Sequence, residues 1–251
     1  MVIDAHAHVS PTSYGTTEGY LEQLGQSGIQ QGVIGPGAML DVRRMSVYLT
    51  GSARPDNKAP NNAYVEQSFR AHPQLHGLAC LDPREPGATE TLTQYLKRGF
   101  RGLKLAPLVH GLSFDIPEVA ELVLLCGEQG LPVYSHVKPG PGANTAGFVA
   151  LARRFPHTNF VLEHMGSGPA DQEASAAAAE LDNFFLETSL GSYLHIRESV
   201  QKAGAHKVVF GSEYPLSHPA VELKKILLLP ITEAERERIL GENIRELLRL
   251  E

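Results

Sequence analysis

His6 and His8 stand two residues apart in the opening run Met1-Val2-Ile3-Asp4-Ala5-His6-Ala7-His8. Val2 and Ile3 begin an apolar strand. Residues i and i+2 of a strand point to one face, so the spacing predicts two imidazoles side by side. Paired neutral nitrogens on one rigid element suit zinc and other divalent transition metals. Taken alone, two solvated histidines would account for the pair equally well. Further along, Lys104, Ser135-His136, Glu163-His164 and Ser212-Glu213 each interrupt or end an otherwise apolar run. Singly, each has an ordinary structural reading: His136 as a hydrogen-bonded core residue, Glu213 as a helix cap. Together, four histidines and a carboxylate drawn to one place would be costly to bury without a cation.

The elements that must position these groups alternate along the chain. Apolar runs at 2–8, 32–36, 77–81, 102–106, 132–137, 159–165, 183–189 and 207–213 read as strands. Helix-like segments separate them, at 17–28, 39–49, 62–72, 88–98, 117–129, 145–155, 170–181 and 193–203, with closing helices at 221–228 and 232–250. Asn61 and Asn62 suit the N-cap of the third helix, and the Gly-, Pro-, Ser- and Asn-rich stretch 51–60 reads as a loop. Eight nearly continuous apolar strands, each followed by a helix, match an all-parallel sheet covered on its outer face, and a closed (β/α)8 TIM barrel occupying 1–251 as one domain is its natural form. An open doubly wound sheet is the alternative, but no Gly-x-Gly-x-x-Gly turn follows the first strand. In such a barrel the C-terminal strand ends share one mouth, which is where His6, His8, Lys104, His136, His164 and Glu213 fall. His110, Lys138, Tyr214 and His218 follow strands on the same side and are candidates to touch substrate. His72, His76, His157 and His206 lie in or beside helix-to-strand connections, on the opposite end, where a surface role is expected.

Composition excludes several classes. A formal charge of −6 over 251 residues gives no general attraction to nucleic acid or anionic membranes. No run approaches a membrane span and no basic segment precedes a long apolar one, so a cytoplasmic protein acting on a small molecule is expected. Cys80 and Cys126 form no disulfide framework and no metal-binding spacing, and read as buried thiols.

In this setting the sequence resembles the amidohydrolase superfamily. Within it the resemblance is to the amidohydrolase-related branch that includes aminocarboxymuconate semialdehyde decarboxylase, resorcylate-type decarboxylases and lactone hydrolases. The matching pieces are Ile3-Asp4-Ala5-His6-Ala7-His8, Gly102-Leu103-Lys104-Leu105-Ala106-Pro107, Pro132-Val133-Tyr134-Ser135-His136, Leu162-Glu163-His164-Met165-Gly166, Phe210-Gly211-Ser212-Glu213-Tyr214-Pro215 and Gly241-Glu242-Asn243-Ile244. They occur in family order across nearly the whole chain. The resemblance implies that His6, His8 and His136 bind one divalent metal, usually zinc, and that His164 acts beside it as an acid/base or carbonyl-polarising group. It implies further that the acid of the last strand both touches the metal and takes a proton from its water. That acid is normally Asp; here it is Glu213, whose extra methylene extends the carboxylate by about 1.5 Å, a carbon–carbon bond length. In dinuclear members of the superfamily a carbamylated lysine at the place of Lys104 bridges two ions. The alternative is a lysine that neutralises a carboxylate or binds an anionic substrate.

The chemistry so implied is metal-assisted hydrolysis of an amide, lactone or other ester-like bond. Non-oxidative decarboxylation of a small carboxylic acid is the near rival, with Arg43, Arg44 and Lys138 as candidate partners of a substrate carboxylate. A barrel that has lost catalysis, marked by Glu213, is the third reading. Barrels of this kind often pair, so a homodimer is the assembly to look for. Substrate identity resides in the loops after the strands, at 35–37, 48–60, 109–116, 138–144 and 166–172.

Overall fold

The computed structural model describes residues 1–55 and 59–250. Among the described residues, nine parallel strand segments build the barrel: β1 (Ile3–Val9), β2 (Gln31–Pro36), β3 (Leu75–Gly77), β4 (Ala79–Cys80), β5 (Leu103–Leu105), β6 (Val133–Ser135), β7 (Phe160–Leu162), β8 (Phe184–Glu187) and β9 (Val208–Val209). They pair in chain order as β1-β2-β3 and as β4 through β9. Two sets of bonds join these runs into a ring. The Leu78 amide, between β3 and β4, donates to the Ile34 carbonyl at 2.9 Å. At the other seam Ala5 donates to Phe210 at 2.8 Å and His8 to Tyr214 at 2.7 Å. The expected eighth-to-first closure is thus present, and the strand expected at 77–81 is divided around Leu78.

Several strands are shorter than their apolar runs. The runs expected at 132–137, 159–165, 183–189 and 207–213 end at Ser135, Leu162, Glu187 and Val209. Their last residues turn outward into the mouth. Glu163–Met165 forms a single 3-10 turn with His164 at φ 61°, and Glu213 has φ 58°. Non-glycine residues seldom hold this left-handed conformation, which recurs at sites where side chains must be re-aimed. The helix expected at 39–49 is a 3-10 turn, Val42–Arg44, leading into the helix Met45–Leu49. The closing helix expected at 232–250 is broken into Glu233–Glu237 and Asn243–Leu247 by a wide π-type turn. Residues 56–58 of the expected loop lie outside the described residues.

The packing follows from the pattern. Tyr134 and Val161 are in register with Lys104, so all three point inward. Tyr134 and Val161 cluster with Ile3, Ala5, Val33, Leu78 and Val209, against Ile244 and Leu247 of the last helix and Leu248 at its end. A larger apolar layer lies between the strands and the surrounding helices. Asn61 caps the helix Asn62–Ala71, its side chain accepting from the Tyr64 amide at 3.1 Å. Asn62 does something different: its buried amide bonds both the carbonyl and the N–H of Cys80, at 2.8 and 2.9 Å, extending the ladder beside β4. Cys80 and Cys126 are buried free thiols, both pushed up to about 12 by burial. Among the described residues no helix is long and apolar enough to cross a membrane.

Candidate metal centre

A β-bulge in β1 decides where the two leading histidines point. Register with β2 shifts between Asp4 and Ala7. The extra residue separates Asp4 from His6, which strict alternation would put on one face. Asp4 instead accepts from Tyr20 Oη (2.8 Å) on the first helix and from Ser212 Oγ (2.5 Å), while its other oxygen accepts from the amides of Ser212 (2.8 Å) and His6 (3.1 Å). Burial raises its pKa to about 7 against the pull of these bonds. Asp4 thereby ties the first strand, the first helix and the last strand end together beneath the site.

His6 and His8 face each other through Nε2 at 3.2 Å. Each has its Nδ1–H committed elsewhere: His6 donates to Glu187 Oε2 at 2.9 Å, and His8 to the Pro36 carbonyl at 3.1 Å. Both Nε2 atoms are therefore turned inward. Glu213 Oε2 lies 3.0 Å from His6 Nε2 and 3.5 Å from His8 Nε2, buried and without a hydrogen-bond partner. Ligand atoms around a tetrahedral zinc at about 2.0–2.2 Å stand roughly 3.3–3.6 Å apart, close to these edges. A cation would satisfy the two inward Nε2 atoms, replacing the proton on His6, together with the Glu213 oxygen. The extra methylene of Glu213 is taken up by the left-handed turn, and its carboxylate reaches both imidazoles.

A second group, His6, Glu163 and His164, shares His6 with the first. Glu163 Oε1 is 3.5 Å from His6 Nε2 and, like the Glu213 oxygen, is buried without a hydrogen-bond partner. Its Oε2 is ion-paired with the buried ammonium of Lys104, which also stands 3.2 Å from His6 Nε2. Lys104 is therefore placed as the partner of a carboxylate. His136, expected as the third histidine ligand, stands outside both groups. Its Nε2 accepts from the Leu108 amide at 3.1 Å, so Nδ1 carries the proton and faces Glu163 Oε2 at 3.7 Å. The lone pair that ligation needs is used by the backbone.

Glu187, to which sequence reasoning gave no role, organises two of the histidines. Beyond its bond to His6, its Oε2 accepts from Ser189 Oγ at 2.7 Å, and Ser189 Oγ in turn accepts from His164 Nδ1 at 2.9 Å. The His164 amide points to the same oxygen at 3.3 Å. His164 thus turns its Nε2 away from this chain of bonds, and the residue lines the cavity. Gly211 makes the arrangement possible: a Cβ there would lie 2.2 Å from Glu187 Oε1. The signal was present as a carboxylate ending the apolar run Phe184-Phe185-Leu186, the same kind of interruption that marked Glu163 and Glu213.

Charge explains the titration of the floor. Burial opposes the charged form of His6, yet Glu163, Glu213 and Glu187 together outweigh it and raise its pKa well above the usual value. Glu163 and Glu213 are held well below the carboxylate range, their burial overcome chiefly by His6, with Lys104 acting on Glu163 and His8 on Glu213. His8 is lowered to about 4, chiefly by burial. The floor holds more carboxylate than fixed cation, and a proton on His6 stands where a bound cation would supply charge.

The remaining candidates divide. Lys138 lines the cavity above the floor, with Lys104, His136 and His164. His110, Tyr214 and His218 do not line it. His110 is buried at the end of the turn Pro107–His110. Tyr214 packs its ring 5.1 Å from Tyr20 and donates to the Thr16 carbonyl at 3.3 Å. His218 caps the helix Pro219–Leu227, its Nδ1 accepting from Ala220 at 3.1 Å. The cavity and its open mouth together span about 1060 Å³ of space not filled by protein atoms, solvent outside the mouth included.

Comparison with known proteins agrees with this architecture. An amidohydrolase family model matches residues 3–250, and the chain belongs to that family. Among curated proteins none matches. Solved structures share the barrel. An uncharacterized TIM-barrel protein from Bordetella bronchiseptica has a TM-score of 0.78 at 19% identity, covering 99% of this chain and 98% of the other. A dihydroxybenzoic acid decarboxylase from Polaromonas, with bound manganese and 2-nitroresorcinol, has a TM-score of 0.74 at 17% identity, covering 99% and 97%. A probable 2-pyrone-4,6-dicarboxylic acid hydrolase from Acinetobacter baumannii, with citric acid bound, has a TM-score of 0.71 at 16% identity, covering 99% of each chain.

Proposed function

We propose that this protein is a metal-dependent hydrolase that cleaves an amide, lactone or other ester-like bond in a small molecule, with one divalent ion held by His6, His8 and Glu213. The observation that carries the reading is the pair of Nε2 atoms 3.2 Å apart, both Nδ1 atoms already donating, beside an unpartnered Glu213 oxygen. Histidine ligands commonly donate their second N–H to a carboxylate or carbonyl in this way. When bound, a divalent ion supplies Lewis acidity toward a carbonyl and lowers the pKa of water toward about 7. Zinc fits the nitrogen-rich donor set, and manganese, present in the Polaromonas neighbour, is the other ion to test.

In this reading Glu213 accepts a proton from the attacking water through the oxygen not engaged with the imidazoles. With its Nδ1–H held by Ser189 and Glu187, His164 directs Nε2 into the site, and in its doubly protonated form it can donate from Nε2 to the scissile carbonyl or leaving group. Lys104 and His136 hold Glu163 in place. Non-oxidative decarboxylation is a second reading, favoured by the likeness of the barrel to the Polaromonas enzyme. The test is elemental analysis of the purified protein, followed by a screen of lactones, amides and aromatic acids with and without added zinc or manganese, recording both hydrolysis and carbon dioxide. Metal-dependent hydrolysis supports the proposal; carbon dioxide release without hydrolysis replaces it with the second reading. A protein that holds no stoichiometric ion and turns over nothing is the non-catalytic barrel.

A further inference from the structure

Resting on the hydrolase reading, we infer that the substrate is an uncharged, largely apolar ester or lactone, with its carbonyl at the Glu213–His164 end of the cavity and its hydrocarbon body against the wall that follows β2.

Three observations converge. The floor has no spare positive charge: Lys104 is ion-paired with Glu163, and Lys104 with a divalent ion would together just balance the buried carboxylates Glu163, Glu187 and Glu213. Asp4 adds a further acid below them. A substrate carboxylate brought to this floor would be a buried anion without a partner, which is strongly disfavoured. Two guanidinium groups in the loops after β2 and β4 are also committed. Arg43 is bidentate to Asp41 at 2.9 and 2.8 Å, and Arg84 is bidentate to Asp82 at the same distances. Among the described residues of the lining, Lys138 is the one cation outside an ion pair, and it is half-buried in the loop after β6. Finally, the wall is apolar. Met39, Leu40, Met45, Leu49, Leu108 and Val109 all line the cavity, Met39 and Leu40 packing in one cluster with Val109. Leu49 lies on this lining although it is 67% exposed, an apolar surface that a hydrocarbon group would cover. The two methionines can adapt to an irregular apolar shape.

The inference separates this chain from neighbours named as a dihydroxybenzoic acid decarboxylase and a probable 2-pyrone-4,6-dicarboxylic acid hydrolase. It is tested by calorimetric binding to the zinc-loaded protein of δ-nonalactam, a neutral compound that resists cleavage, against 2,6-dihydroxybenzoate. Hydrolysis of δ-nonalactone and of 2-pyrone-4,6-dicarboxylate is measured in parallel. The lactam is expected to bind at least tenfold more tightly than the dihydroxybenzoate. Leu49→Lys, at an exposed position that tolerates the change, is expected to narrow that ratio at least fivefold with metal content unaltered. Equal or tighter binding of the carboxylate, no binding of the lactam at millimolar concentration, or a ratio untouched by Leu49→Lys would each overturn it. Tight lactam binding with no lactone turnover would uphold the ligand class while removing the hydrolase reading.

Discussion

Nδ1 of His6 lies 2.9 Å from Oε2 of Glu187, a residue 181 positions further along the chain, and this bond determines that Nε2 of His6 faces the site. A neutral amide in place of Glu187 would be a weaker acceptor and would disturb the Ser189–His164 bonds as well. Glu187→Gln is expected to weaken zinc binding about 10- to 100-fold, the usual cost of losing an outer partner of a ligand histidine. Competition with a chromogenic chelator measures it, with circular dichroism to confirm folding. Unchanged affinity would remove the positioning role.

Glu213 serves as both ligand and proton acceptor in the proposed mechanism, and its two substitutions separate these tasks. Glu213→Gln retains the length but cannot take a proton, so kcat is expected to fall by about 10²- to 10⁴-fold. Glu213→Asp keeps the charge but withdraws it by about 1.5 Å, a carbon–carbon bond length. Its larger effect should be on metal affinity. Steady-state turnover beside metal titration distinguishes them, and full activity in the Gln variant would exclude Glu213 as the base.

Lys104 and Glu163 form a buried ion pair, so the two should be strongly coupled in stability. Lys104→Met removes one of the two main cations that offset buried Glu163, leaving His6, at a cost of up to about 3–5 kcal/mol. For a chain of this length each kcal/mol lowers Tm by about 2–4 °C. The double variant Lys104→Met/Glu163→Gln should recover most of the loss. Thermal melts of chelator-treated protein, where no added cation can stand in for the ammonium, provide the readout.

His76 offers a pH prediction away from the site. Its Nε2 is 2.9 Å from Gln31 Oε1, and burial, aided by Arg101, lowers its pKa from 6.5 to about 4. Between these values the unfolded chain takes up a proton that the folded protein does not. Stability from this residue is therefore fully present above about pH 6.5 and is lost as pH falls toward 4. Replacing His76 with Gln should make the acid limb of a denaturant-derived stability profile shallower in that window. Partial exposure keeps the effect modest.

The sequence by itself determined the barrel, because apolar runs of strand length alternating with capped amphipathic segments leave few other ways to bury both. It also marked His6, His8, Lys104, His136, Glu163, His164 and Glu213 as polar interruptions at strand ends that the fold must bring together. What it could not carry was direction. A one-residue bulge divides Asp4 from His6, and left-handed backbone at His164 and Glu213 re-aims side chains that a period of two would have placed otherwise. The tertiary structure alone decided that the Leu108 amide takes the lone pair of His136, that Glu163 claims Lys104, and that Glu187 sets the tautomer of His6 directly and of His164 through Ser189. Hydrogen bonds depend on angles and on partners dozens to hundreds of residues away, whereas burial depends on residue type and period; the second is written locally in the chain and the first is not.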